Sequence, residues 1–91
     1  MELTFAKNAQ GLYEATFEAT GDFALHLERP ESGEINVRQR HGNAGEFAKV
    51  DDFQHQTYKK VIDTVFIDGI YPVSVKIESA SAPTLAVVTF K

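Results

Sequence analysis

The chain has 91 residues, of which 43% are hydrophobic and 24% charged, and its formal net charge is −4 at neutral pH. This length allows one domain and leaves no room for a second core. The acidic balance disfavours general nucleic-acid binding, which usually requires a basic surface. The chain has no cysteine, which excludes disulfides, thiolate catalysis and cysteine-based zinc sites.

The N-terminal residues and the hydropathy pattern predict a protein that is cytoplasmic at synthesis. The first residues, Met-Glu-Leu-Thr-Phe-Ala-Lys, lack the basic start and the apolar run of a signal peptide. No apolar run approaches the roughly 18–20 residues that cross a bilayer as a helix. We therefore expect no membrane partner.

The first predicted elements are two short strands joined by a turn. Residues 2–7 alternate apolar and polar side chains, which predicts a first strand, and residues 8–11 suit a four-residue hairpin turn because they contain Asn and Gly. Residues 12–20 predict a second strand. Its apolar face carries Tyr13, Ala15, Phe17 and Ala19.

The stretch 23–40 has the clearest alternation in the chain. Apolar residues occupy every second position of 23–28 and again of 35–38, which predicts two strands with one apolar and one polar face each. Pro30 and Gly33 lie between the two arms, where Pro presets φ and Gly tolerates positive φ. The pattern predicts a central β-hairpin.

The second half of the chain contains further strands and one ambiguous segment. We predict a loop at 41–45, a short strand at 47–50, and a loop or single turn at 51–56. Residues 58–67 predict a long strand rather than a helix because several β-branched residues are close together there. The last two predicted strands are residues 73–78 and 84–91.

Seven or eight strands at roughly ten-residue spacing predict an all-β fold. We expect an antiparallel β-sandwich or small barrel that occupies residues 1–91 as one domain. Alternation does not determine strand order, so jelly-roll and immunoglobulin-like wirings both remain open.

Basic residues cluster around the predicted hairpin and its exit loop. Arginine pairs bidentately with carboxylates or phosphates, so this cluster is a candidate docking patch for an acidic partner surface. The alternative is that the same charges protect an edge strand and keep it solvated. The candidate residues are Arg38, Arg40, His41, Lys49 and Tyr58.

Aromatic residues near this patch suggest a possible platform for a sugar or a peptide. They are Phe47, Phe53, Tyr58 and Tyr71. Phenylalanine is more often a core residue, and the chain has no tryptophan, so we expect these phenylalanines in the core.

The last strands carry apolar residues on both faces more often than the first strands do. Such strands are either central to the core or covered by another subunit. We predict a homo-oligomer or another protein assembly, with candidate interface residues Val61, Val65, Val87 and Phe90.

Catalytic and metal-binding patterns are weak. Asp51, Asp52 and His55 lie close together, but a transition metal requires three or four ligands and the others are not visible. No nucleophile motif, phosphate-binding loop or dinucleotide fingerprint occurs. We therefore expect no enzyme activity, no cofactor and no metal.

Two stretches of the chain are Gly-Asp-Phe-Ala-Leu-His-Leu-Glu-Arg at 21–29 and Tyr-Pro-Val-Ser-Val-Lys-Ile-Glu-Ser at 71–79. They resemble the β-sandwich subunits of tailed bacteriophages, the small accessory virion proteins that decorate capsids or associate with head fibres and tails. The resemblance implies a structural role in a symmetric assembly with capsid or tail proteins and a place in the virion. The leading hypothesis is a non-enzymatic assembly protein; the alternative is a carbohydrate- or peptide-binding module that uses residues 41–60.

Overall fold

A computed structural model describes residues 1–50, 58–67 and 72–90 of the chain. These residues form eight strands in two antiparallel sheets, which confirms the predicted all-β sandwich. The strands are β1 (Ala6–Lys7), β2 (Tyr13–Ala19), β3 (Phe23–Glu28), β4 (Ile35–His41), β5 (Ala48–Lys49), β6 (Lys60–Val65), β7 (Val73–Ser79) and β8 (Leu85–Phe90). One sheet has the order β1-β2-β7-β4-β5 and the other the order β6-β3-β8.

The core lies between the two sheets and is built from one side of each main strand. Alternation places every second side chain of a strand on the same face, and both sheets direct their apolar faces inward. The largest fully buried residues of the core are Phe23, Leu25, Leu27, Ile35, Ile77 and Val88. The predicted apolar faces of β2, β3 and β4 are therefore confirmed.

The predicted central hairpin is wrong. β3 pairs with β6 and β8, whereas β4 pairs with β7 and β5, so the two arms lie in different sheets. Both arms have an apolar face, and these faces meet across the sandwich interior instead of side by side in one sheet. Residues 29–34 therefore cross from one sheet to the other.

The predicted first strand is also divided between the sheets. Leu3 donates its backbone N–H to the carbonyl of Ala86 at 2.9 Å, and Val88 donates to the carbonyl of Met1 at 2.8 Å. Residues 1–3 thus pair with the outer edge of β8, while β1 pairs with β2. The N-terminal segment covers the edge of one sheet and then joins the other, which removes exposed edge groups.

The crossover at 29–34 is held by the buried side chain of Arg29, which is 4% exposed. Its guanidinium donates to the carbonyls of Tyr58, Gly33 and Glu34 at 2.6–3.0 Å, and to Ser79 Oγ at 3.2 Å. Desolvation by burial lowers the pKa of Arg29. One arginine therefore ties together the crossover, the residues before β6 and the end of β7.

Gly33 has a φ of +132°, and a Cβ at this position would approach the Cβ of Ala80 to 3.0 Å. We expect Gly33→Ala to reduce the free energy of unfolding by about 2–3 kcal/mol, because positive φ and close approach both penalise the methyl group. Gly11→Ala is the matched control: φ is +84° but nothing lies within 4 Å. In urea unfolding, Gly11→Ala should lower the free energy of unfolding by only about 1 kcal/mol. Equal losses for Gly33→Ala and Gly11→Ala would contradict a penalty from the close approach to Ala80.

Candidate functional site

The outer face of the five-stranded sheet, here the five-stranded face, is rich in charge. Strand register places Lys76 of β7 beside Arg38 of β4, and Arg38 beside Lys49 of β5. Glu14 and Glu18 of β2 lie on the same face. Lys76, Arg38 and Lys49 therefore form a row of cations across three strands, and Glu14 lies opposite Glu78 in the next row. Opposite charges meet diagonally between these two rows, which offsets the repulsion between like charges placed side by side.

Glu78 is the buried anion of this face, with a side chain that is 9% exposed. Its Oε1 accepts hydrogen bonds from Arg38 Nε at 2.7 Å and from Asn36 Nδ2 at 3.3 Å. Its Oε2 accepts a longer bond from Asn8 Nδ2 at 3.5 Å. Glu78 is therefore well paired, and it fixes the orientation of Arg38.

Phe47 packs on this face between two cations. Its ring centroid lies 4.4 Å from Arg40 Cζ and 4.5 Å from Lys76 Nζ, both within the range of a cation–π contact. Lys76 Nζ also lies 3.5 Å from a carboxylate oxygen of Glu14. The expectation that Phe47 belongs to the core is therefore wrong.

These residues line an open groove of about 740 Å³, a volume within the range of ligand sites. Its walls include Arg38, Arg40, Glu46, Phe47, Lys76 and Glu78. Among the three groove cations, Arg38 and Lys76 each contact a carboxylate. Arg40 instead contacts the Phe47 ring and donates from Nη1 to the carbonyl of Gly45 at 3.3 Å.

The Nε atom of Arg40 is buried and has no hydrogen-bond partner among the described residues. Most buried polar groups in native proteins are paired with protein or water. Leaving a buried donor unpaired costs about 1–3 kcal/mol. The groove therefore contains a charged donor whose hydrogen-bonding capacity the described part of the chain does not fill.

The predicted docking patch is only partly brought together. Arg38 and Arg40 line the groove, Lys49 is exposed beside Arg38, and His41 is exposed at the end of β4. Tyr58 lies just before β6 of the other sheet and offers its backbone carbonyl to Arg29. Lys76 belongs to the groove but was not predicted, because only the pairing of β4 with β7 places it there.

The outer face of the other sheet, here the three-stranded face, has a different character. One register row across it consists of Ile62, His26 and Val87. The next row contains Thr64, Ala24 and Thr89, and the preceding one contains Lys60, Glu28 and Leu85. The centre of this face is therefore His26, whose Nε2 lies 2.9 Å from Glu28 Oε2, and the side chains beside it in its own row and the next are apolar or small.

Two large apolar side chains are exposed on or next to the three-stranded face. Ile62 is 74% exposed, and Phe66, just beyond the end of β6, is 55% exposed. An isolated exposed apolar residue is ordinary, but Ile62 shares its row with the partly exposed Val87. Ile62 and Val87 lie on the outer strands β6 and β8 with His26 of β3 between them, so the three-stranded face presents apolar surface to solvent on either side of a histidine.

The predicted interface residues need correction. Val61 and Val65 are 3% and 2% exposed and belong to the core of the chain, so they are not available to another subunit. Phe90 packs against the same core, and Val87 is the one of the four on the three-stranded face. Because Val61 points inward, alternation directs Ile62 outward.

Known signatures leave the function open. Within residues 1–50, 58–67 and 72–90, no three histidine or acidic side chains group together as metal ligands would. The candidate metal residues Asp51, Asp52 and His55, with Phe53 and Tyr71, lie outside the described residues. The same ranges contain no helix with the length and apolar character needed to span a membrane. No protein-family model, curated protein or solved structure matches the chain.

Proposed function

We propose that this protein is a non-enzymatic structural subunit that acts through protein–protein contacts on its three-stranded face. The observation that carries this proposal is the exposure of Ile62 and Phe66 on and beside this face. Burial of apolar surface contributes about 25 cal/mol per Å². A partner that covers this face therefore gains stabilisation that the isolated chain lacks.

The contrast between the two outer faces supports this choice of surface. On the five-stranded face, Arg38 and Lys76 each have a carboxylate partner, Glu78 and Glu14 respectively. Covering those charges would require desolvating them, which is expensive even for pairs. The centre of the three-stranded face carries few charges, so it can be covered at a smaller desolvation penalty.

The occupant that we propose is a second copy of this chain, in an assembly of many copies. Three strands of six residues form a face of roughly 14 by 20 Å. Stable pairwise interfaces bury about 1,200–2,000 Å² in total, so two faces of this size hold a pair weakly. Because two copies joined through the same face form a closed pair, many copies assemble only where a larger particle repeats this pair, and weak contacts are sufficient there.

The resemblance to accessory virion proteins of tailed bacteriophages supports the same class of role. A subunit that decorates a capsid or associates with a fibre works through repeated contacts with a symmetric particle. A virion setting is therefore part of this proposal.

We expect the weight-average molar mass in solution to rise above the monomer mass as the protein is concentrated. Ile62→Arg should abolish this rise because it replaces the most exposed apolar side chain on the three-stranded face with a charge. Thr16→Arg is the matched control, since Thr16 is an exposed strand residue on the opposite face. Light scattering across a concentration series measures all three proteins.

Two results would contradict the proposal. One is a wild-type protein that stays monomeric up to millimolar concentration. The other is self-association that Ile62→Arg and Thr16→Arg leave equally intact, which would place the contact elsewhere on the molecule. Amide dispersion in an NMR spectrum verifies that each variant is folded.

A further inference from the structure

We propose that the groove on the five-stranded face binds a carboxylate of an acidic peptide segment in a partner protein, with Arg40 and Arg38 as the binding residues. This site lies on the sheet opposite to the proposed assembly contact, so it adds a second interaction to the molecule. It does not depend on self-association through Ile62.

Arg40 provides the first argument. Its guanidinium lies against the Phe47 ring, with Cζ 4.4 Å from the ring centroid, which holds the planar group in one orientation. Among the described residues, its one hydrogen bond is long, 3.3 Å from Nη1 to the carbonyl of Gly45. Its Nε is buried without a partner there. A carboxylate that enters the groove supplies a charged acceptor for the terminal nitrogens of Arg40, where the bond to Gly45 is long and exposed.

Arg38 provides the second argument. Glu78 accepts a hydrogen bond from Arg38 Nε at 2.7 Å, and this bond anchors the guanidinium at one edge. In the described part of the chain, no acceptor contacts its two terminal nitrogens. Arg38 and Arg40 project from the same face of β4, two residues apart. An incoming carboxylate can therefore receive donors from both arginines in the fork geometry that arginine favours.

The carboxylates that line the groove favour a ligand with a single negative charge over a densely charged one. Glu34, Glu46 and Glu78 also line it, so a ligand with dense negative charge, such as a nucleic acid or a polyphosphate, meets repulsion on several sides. A single carboxylate needs only the donors at its centre. The side chains of Leu12 and Phe47 in the groove wall offer apolar contact to the methylene groups of a peptide.

NMR titration of the intact 91-residue protein tests this site directly. The probe is a synthetic peptide with blocked termini in which a single Glu is flanked by Gly residues, and the readout is the Nε–Hε signal of Arg40 together with neighbouring backbone amides. We expect saturable shifts at these signals. The same peptide with Gln in place of Glu should bind about tenfold more weakly, because charge-assisted hydrogen bonds are lost.

Substitutions inside and outside the groove test whether the peptide binds there. Arg40→Gln should weaken peptide binding about tenfold, whereas Lys59→Gln, which removes an exposed charge from the other sheet, should leave it unchanged. Arg40→Lys keeps the charge but not the planar fork, and it should bind several-fold more weakly than the native protein. This variant also serves if Arg40→Gln fails to fold.

Three outcomes would overturn the proposal. The first is the absence of saturable shifts at Arg40 with the acidic peptide at millimolar concentration. The second is peptide binding that Arg40→Gln and Lys59→Gln affect equally. The third is tighter binding of inorganic phosphate than of the peptide at the same signals, which would assign the groove to a phosphate ligand. Each of these results leaves the light-scattering test of the Ile62 contact unaffected.

Discussion

Replacing Phe23 with alanine is expected to lower the free energy of unfolding by about 3–5 kcal/mol. Phe23 is fully buried, and its ring contacts two others edge to face. The centroid of Phe17 lies 5.2 Å away and that of Phe90 lies 6.1 Å away. Phe17 belongs to the five-stranded sheet and the other two rings to the three-stranded sheet, so this cluster joins the two layers.

The effect should be large compared with the total stability of the chain. Domains are typically stable by about 5–15 kcal/mol, and a chain of this length buries a smaller fraction of its surface than larger domains do. Removing the ring deletes apolar contacts and leaves a cavity between two sheets that do not readily collapse. Loss of Phe23 therefore brings the protein close to the threshold of unfolding.

Urea unfolding followed by circular dichroism measures this loss. Phe66→Ala removes the same side chain from an exposed position and should reduce the free energy of unfolding by less than about 1 kcal/mol. If Phe23→Ala does not fold, Phe23→Leu should fold and still lose about 1–2 kcal/mol. Similar losses for Phe23→Ala and Phe66→Ala would contradict the role of the three-ring cluster.

The sequence predicts the strands of this fold better than it predicts their neighbours. Alternation reports which side chains share a face, so the inward positions of Phe23, Leu25 and Leu27 were predictable. Alternation within one strand contains no information on which other strands pair with it in the sheet. The arms at 23–28 and 35–40 were therefore paired with each other, whereas long-range partners in β6, β7 and β8 fill those places.

For a related reason, the sequence does not predict which face of a strand is buried when apolar residues occupy successive positions. In β6, Val61 and Ile62 are both apolar, so the pattern does not indicate which one faces the core. The structure directs Val61 inward and leaves Ile62 exposed. The candidate interface consequently included core residues, and of the four only Val87 lies in the outward-facing row that contains Ile62 and His26.

The groove was predictable only in part. Arg38 and Arg40 were identifiable because they occupy the polar positions of an alternating strand. Lys76 reaches them through the pairing of β4 with β7, which no local pattern reveals. Phe47 was expected in the core because phenylalanine usually is buried, yet two neighbouring cations hold its ring on the outer face.

Replacing Arg29 with methionine is expected to reduce the free energy of unfolding by about 3 kcal/mol or more. Methionine has a comparable length and is apolar, so the packed volume is largely kept. The loss arises because the carbonyls of Gly33, Glu34 and Tyr58 each lose a hydrogen-bond donor. The hydrogen bonds lost at these partly buried carbonyls outweigh the gain from removing a desolvated charge.

The Arg29→Lys variant distinguishes the contribution of the positive charge from that of the planar guanidinium group. Arg29→Lys keeps a cation, but one ammonium group does not reach acceptors on three sides as the guanidinium does. Arg29→Lys should therefore lower the free energy of unfolding by about 1–2 kcal/mol, which is less than the loss expected for Arg29→Met. Lys59→Met, at an exposed neighbouring position, should change the free energy of unfolding by less than about 0.5 kcal/mol.

Amide hydrogen exchange at Ala80 gives a local readout of the same network. The N–H of Ala80 donates to the carbonyl of Glu34 at 2.9 Å, and that carbonyl also accepts from Arg29 Nη1 at 3.0 Å. Loss of Arg29 should release the crossover from the end of β7, so exchange at Ala80 should accelerate more than exchange at Val75 in the middle of the sheet. Uniform acceleration at both amides would mean that Arg29 contributes only to global stability and does not hold the crossover in place.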